Sequence, residues 1–140
     1  MILYALISDR IKGEKIMDKI RVLIIDDEPD VCEFLFEVIQ AMNCEVKTIV
    51  DSKLAVETSK TFLPHLVFLD IMMPDMNGIE VLQAIREIDK QVKIVMVSGM
   101  LDLGLAKKAI KLGAIDYIAK PIDIDKLRDI IKEVINSVFE

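Results

Sequence analysis

A chain of 140 residues, 53% of them apolar, is long enough for one domain with one sizeable core. A formal net charge of −6 argues against a dominant nucleic-acid role, which needs clustered positive charge. No apolar run approaches the roughly 18 residues of a membrane span, and with 5% aromatics and no Trp the core falls to Val, Ile, Leu, Ala and Met.

Residues 1 to 19 fit poorly with the rest of the chain. Met1-Ile2-Leu3-Tyr4-Ala5-Leu6-Ile7 is apolar, but no basic residue precedes it and no small-residue cleavage site comes after it, so a secretory signal is not expected. Met17 stands four residues ahead of the first strand, and Lys12-Gly13-Glu14 is what a purine-rich ribosome-binding sequence would spell if translated. Residues 1 to 16 are therefore expected to be an upstream-start extension, with a docking arm as the rival reading. The domain proper is expected over 20–140.

Val22-Leu23-Ile24-Ile25 reads as a strand that ends on Asp26, Asp27 and Glu28. Pro29 suits the first turn of a helix, and Val31, Leu35, Val38, Ile39 and Met42 supply one apolar stripe. Glu45 to Val50 is a second strand. Asp51 or Ser52 can cap the next helix, with Leu54, Ala55 and Thr58 expected to face inward and Pro64 closing the connection. Next comes Leu66-Val67-Phe68-Leu69-Asp70: four apolar residues and one acid describe a central strand covered on both faces, with a carboxylate at its tip.

Ile79, Leu82, Ile85 and Ile88 form a third helical stripe after Gly78. Lys93 to Val97 is a fourth strand ending on Ser98-Gly99. A fourth helix is expected from about Leu101 to Leu112, with Gly113 at a left-handed cap. Ile115 to Ile118 is a short last strand ending near Lys120-Pro121. Asp123 can cap a final helix whose inner side carries Ile124, Leu127, Ile130, Ile131, Val134 and Val138. Five strands alternating with five helices predict one α/β domain, a doubly wound parallel sheet. Cys32 and Cys44 lie in apolar segments without metal-ligand spacing, and read as buried thiols in a reducing cytosol.

Open parallel sheets bind ligands outside the carboxyl ends of their strands. Those ends carry Asp26-Asp27-Glu28, Asp70, Ser98-Gly99 and Lys120. Two carboxylates about 4 Å apart repel by roughly 4 kcal/mol at an effective dielectric near 20. Three of them call for a cation, and oxygen ligands with room for water suit Mg²⁺. A hydroxyl and an ammonium opposite the metal would complete a clamp for a phosphoryl group, with an aspartate as nucleophile.

Over roughly residues 20 to 138 the chain resembles two-component response-regulator receiver domains. The resemblance rests on Val22-Leu23-Ile24-Ile25-Asp26-Asp27-Glu28, Leu69 to Gly78 (Leu-Asp-Ile-Met-Met-Pro-Asp-Met-Asn-Gly), Val97-Ser98-Gly99 and Gly113 to Pro121 (Gly-Ala-Ile-Asp-Tyr-Ile-Ala-Lys-Pro), each at a strand end and in this order. It implies a five-stranded sheet of order 2-1-3-4-5. Asp70 would accept phosphate from a sensor histidine kinase or a histidine phosphotransfer protein. Asp27, Asp70 and the backbone carbonyl of Met72 would ligate Mg²⁺, with Asp26 acting mainly through water. Lys120 would bind a phosphoryl oxygen, and its bond to Pro121 would be cis. Ser98 and Tyr117 would switch together and repack the face made by the fourth helix, last strand and last helix. A downstream effector or a second copy would read that face; neither nucleic acid nor membrane is expected as a direct partner. The module would catalyse only its own phosphotransfer and dephosphorylation.

Two positions depart from what that family often carries. Met72 and Met100, each two residues past a site residue, would flank the path of the hydrolytic water and offer it no hydrogen bond, predicting a long-lived acyl phosphate. Asp75 and Asn77 are read as turn residues, Glu28 as a solvated acid and His65 as a surface residue. Lys107, Lys108 and Lys111 are read as a solvated helix face, with an acidic partner as the rarer alternative. Among rival functions, an aspartyl-phosphate phosphatase or mutase usually has an acid two residues past its nucleophile, where this chain has Met72. A flavodoxin-like cofactor protein would need a phosphate loop after the first strand, which is missing. A phosphate-independent pseudo-receiver would not need the full set of site groups.

Overall fold

The computed structural model describes residues 19–99 and 102–139. The apolar segments form β1 (Arg21–Ile25), β2 (Glu45–Ile49), β3 (Leu66–Asp70), β4 (Lys93–Ser98) and β5 (Asp116–Ala119). All four pairings are parallel and the order is β2-β1-β3-β4-β5, as the resemblance implied. The helices are α1 (Pro29–Gln40), α2 (Ala55–Phe62, after a 3₁₀ turn at Ser52–Leu54), α3 (Gly78–Ile88), α4 (Leu103–Lys111) and α5 (Ile124–Phe139). The N-terminal extension up to residue 18, and Met100, lie outside the described residues.

Alternation along the strands divides the core into two layers. Leu66 and Phe68 of β3 join Val22, Ile24, Leu35, Leu127 and Ile131 on the side of α1 and α5. Val67 and Leu69 join Leu23, Ile25, Ile79, Leu82 and Ile85 on the other. Every residue of β3 is buried. Burial of each large apolar side chain contributes about 1.5–3 kcal/mol, so β3 is firmly held and its terminal acid is carried on a rigid support. Cys32 and Cys44 are free and buried, and burial, followed by the charge of Asp26, pushes the Cys32 thiol up to about 11.

Four inward-facing expectations need correction. Leu54 is 52% exposed while Ala55 and Ser59 are buried, because residues 52–54 wind as a 3₁₀ turn and the buried stripe of α2 starts one residue later. Ile88 is exposed and Val81 is buried in its place along α3. Ile124 and Val138, near the two ends of α5, are exposed. His65 is not an ordinary surface residue either. Its Nδ1 accepts from Arg21 N–H at 2.9 Å, and its own N–H donates to Arg21 O at 2.8 Å. It therefore ties the starts of β1 and β3 together, at the end of the sheet away from the acids.

Gly113 has a φ of +109°, the left-handed cap expected there. Asn77 caps α3 through a bond from Ile79 N–H at 2.7 Å, with Glu80 reaching back to the Asn77 N–H, a reciprocal box. No helix among the described residues is long and apolar enough to cross a membrane.

Candidate phosphoryl and metal site

Parallel register aligns the strand ends. Ile25 stands opposite Leu69, Asp70 opposite Val97, and Ser98 opposite Ala119. The next residues of β1 and β5 are Asp26 and Lys120, so the sheet itself delivers two acids, a hydroxyl and an ammonium to one edge. The Lys120–Pro121 bond is cis, and the Lys120 N–H donates to Ser98 O at 2.7 Å. Here the chain leaves the sheet with the lysine side chain turned back toward the acids.

Asp26 is 2% exposed and both its oxygens are engaged. Oδ1 accepts from the Glu28 N–H at 2.9 Å, and Oδ2 lies 2.9 Å from Lys120 Nζ. Asp70 is 3% exposed; its Oδ1 accepts from the Met72 N–H at 3.1 Å, and its Oδ2 lies 3.5 Å from Lys120 Nζ. Asp27 is half-buried beside them. Among the described residues, Asp26, Asp27 and Asp70 each offer an oxygen within 4.8 Å of the others. The cleft above them, about 380 Å³, is lined by Asp27, Glu28, Asp70, Met72, Gly99 and Lys120.

This crowding has an electrostatic signature. Burial, reinforced by the charge of Asp26 and by a side-chain hydrogen bond with Asp27, pushes the Asp70 carboxyl up to about 7, although the Met72 N–H and Lys120 both pull it down. Burial opposes the charge of Lys120, but hydrogen bonds to Glu28 and Asp26 outweigh it and hold the ammonium above the ordinary lysine range. Among the described residues, Lys120 pairs with three carboxylates, those of Asp26, Glu28 and Asp70, while Asp27 adds a fourth beside them, so the one ammonium does not neutralise the cluster. Buried hard-oxygen donors at this spacing suit a small divalent cation, and Mg²⁺ fits this donor set.

Ser98 is 1% exposed, at the end of β4. Tyr117 stands two residues back from the Ser98–Ala119 pair, opposite Met96, and packs half-buried against the α2–α4 side of the core. Met72 is 56% exposed and lines the cleft. Two residues carry more than sequence reading assigned them. Glu28 pairs with Lys120 at 2.7 Å, across a separation that no local pattern reveals. Gly78, read only as a helix boundary, lies against the backbone of Asp70.

The response regulator receiver domain family model matches residues 22–132. The chemotaxis protein CheY of Treponema pallidum is 40% identical over 118 residues, covering 82% of this chain and 82% of that protein. Sporulation initiation phosphotransferase F of Bacillus subtilis is 30% identical over 113 residues, covering 81% of this chain and 91% of that protein. In three dimensions the chain is similar to a CheY-like receiver domain protein of Methanospirillum hungatei. The TM-score is 0.81 at 26% identity, covering 86% of this chain and 96% of that one.

Proposed function

The chain belongs to the response regulator receiver domain family of two-component systems, and from this we propose that it is a phosphoacceptor switch with Asp70 as the acceptor. The observation that carries the reading is Asp70 itself: a buried carboxylate on a rigid strand tip, opening into a cleft and facing Lys120. In the proposed step an Asp70 oxygen attacks the phosphorus of a phosphohistidine on a histidine kinase or histidine phosphotransfer protein. The new O–P bond forms as the P–N bond breaks, and the imidazole nitrogen leaves with the electron pair. Lys120 binds a phosphoryl oxygen and offsets the charge that builds there.

Asp27, Asp70 and the Met72 carbonyl would hold Mg²⁺ directly. The full engagement of both Asp26 oxygens supports an indirect role for that residue. When bound, Mg²⁺ supplies the positive charge that lets three acids and a phosphoryl group share one cleft. The protein turns over no external substrate in this reading, acting only on its own phosphorylation state, and works in the cytoplasm.

Phosphorylation would draw Ser98 toward the phosphoryl group and shift Tyr117 inward, changing the populations of two packings of the α4–β5–α5 face. Exposed Leu103, Ile110 and Ile115 beside exposed Lys107, Lys108 and Lys111 support a partner-reading role for this face, for an effector or a second copy. Titration with beryllofluoride in the presence of Mg²⁺ tests the switch. Amide NMR shifts at Ser98 and Tyr117 should move together, and the response should be lost in Asp70→Asn. A response confined to the residues around Asp70 would contradict the coupled switch.

A further inference from the structure

The shortest contact of Lys120 is with neither aspartate of the sheet edge. Its Nζ lies 2.7 Å from Glu28 Oε1, 2.9 Å from Asp26 Oδ2 and 3.5 Å from Asp70 Oδ2. Charge-assisted N–H···O bonds are strongest at about 2.7–2.9 Å, so Glu28 and Asp26 hold the ammonium and Asp70 has only its periphery. The two holders differ in kind. Asp26 is buried and doubly bonded, a fixed partner. The Glu28 side chain is 59% exposed, on a backbone pinned by Asp26 and by the first turn of α1. Only its side-chain rotamer is free to change.

Glu28 also stands at a boundary. It lines the cleft together with Asp70 and Met72. It lines as well a neighbouring groove of about 510 Å³ with Asp30, Phe34, Pro121 and Ile122. The Glu28–Lys120 pair is the shared wall, so Glu28 has open space to swing into when it lets go.

We propose that Glu28 is a positioning residue that competes for Lys120, holding its ammonium at the rim of the cleft until a phosphoryl group on Asp70 takes it. The inference rests on Asp70 being the phosphoacceptor. Exposed ion pairs contribute little net stability, which suits a contact that must be surrendered at each phosphorylation. A phosphoryl oxygen inside the cleft has to recruit Lys120 from Glu28, because Asp26 is buried and cannot yield. The competition therefore slows phosphorylation and weakens retention of the activated state.

The test compares the native chain with Glu28→Gln and Glu28→Asp, using phosphoramidate and acetyl phosphate with Mg²⁺ and reading phosphoprotein formation by intact mass. Glu28 is exposed, so both substitutions leave the core intact. Glutamine removes the charge; aspartate keeps it but is one methylene shorter and loses its reach to Nζ. Both variants should be phosphorylated faster, by about fivefold for Gln, the scale of a half-exposed ion pair. The gain should be similar with the two donors, which differ in charge. A gain in Gln but not in Asp assigns the effect to charge repulsion and overturns the proposal, as does an unchanged or slower rate in Gln. A native chain that takes no phosphate from either donor overturns the Asp70 reading and this proposal with it, whereas equal rates in native and variant chains overturn this proposal alone.

Discussion

Gly78 packs directly against the carbonyl end of Asp70. A β-carbon at position 78 would collide with the Asp70 carbonyl oxygen and stand 2.5 Å from Ile71 Cα. The Gly78 N–H donates to Ile71 O at 3.0 Å, so the first residue of α3 is bolted to the turn after β3. The helix start, the loop carrying Met72 and the position of the Asp70 carboxylate are one mechanical unit. Both colliding atoms are backbone and cannot rotate away.

Gly78→Ala should therefore destabilise the fold by about 1–3 kcal/mol, the usual cost of overpacking a site that cannot relax. It should also slow phosphorylation by displacing the carboxylate. Urea unfolding monitored by circular dichroism checks the first effect and intact mass the second. An unfolding midpoint equal to that of the native chain would contradict the packing argument.

The elevated Asp70 carboxyl makes stability depend on pH in a definite sense. Without metal, Asp70 titrates near 7 in the folded chain, against an ordinary 3.8. Between these values the folded state binds more protons than the unfolded one, so this group's contribution falls as pH rises through the window. Mg²⁺ favours the ionised carboxylates and reverses the loss. Its stabilisation should be small near about pH 5 and fully developed above about pH 8. Thermal melts with and without Mg²⁺ measure this, and Asp70→Asn should flatten the dependence. An Mg²⁺ shift in melting temperature as large at about pH 5 as at about pH 8 would contradict it.

The exposed side chain of Met72 lines the cleft beside Asp27 and Asp70 and has no polar atom able to orient a water strongly. Met72→Asn should shorten the acyl-phosphate lifetime by about fivefold, the scale of one hydrogen bond. Adding Met100→Glu should shorten it further. Decay after removal of the phosphodonor, monitored by intact mass, gives the rate. An unchanged lifetime in the double variant would show that the methionines do not limit access of water.

Much of this arrangement is legible in the chain because parallel sheets concentrate chemistry at strand ends. An apolar run with an acid at its tip reads directly as β3 and Asp70, and the same logic finds Asp26, Asp27, Ser98 and Lys120. Periodicity fails where local geometry changes the turn. The 3₁₀ winding at Ser52–Leu54 rotates Leu54 out to solvent, and nothing in Ser-Lys-Leu announces it. Tertiary pairing is equally silent. The Glu28–Lys120 contact joins residues 92 apart, and the His65–Arg21 bond depends on register. The collision at Gly78 appears only when α3 is docked on β3.

As a phosphoacceptor, Asp70 would take a phosphoryl group in a cleft that Mg²⁺ completes. The most direct measurement of this is phosphorylation by phosphoramidate with and without Mg²⁺, read by intact mass, with the site mapped by borohydride reduction of the acyl phosphate. The native chain should carry one phosphoryl group, on Asp70, formed only with Mg²⁺ and absent in Asp70→Asn. A phosphoryl group on another residue, or its undiminished formation in Asp70→Asn, would contradict this assignment.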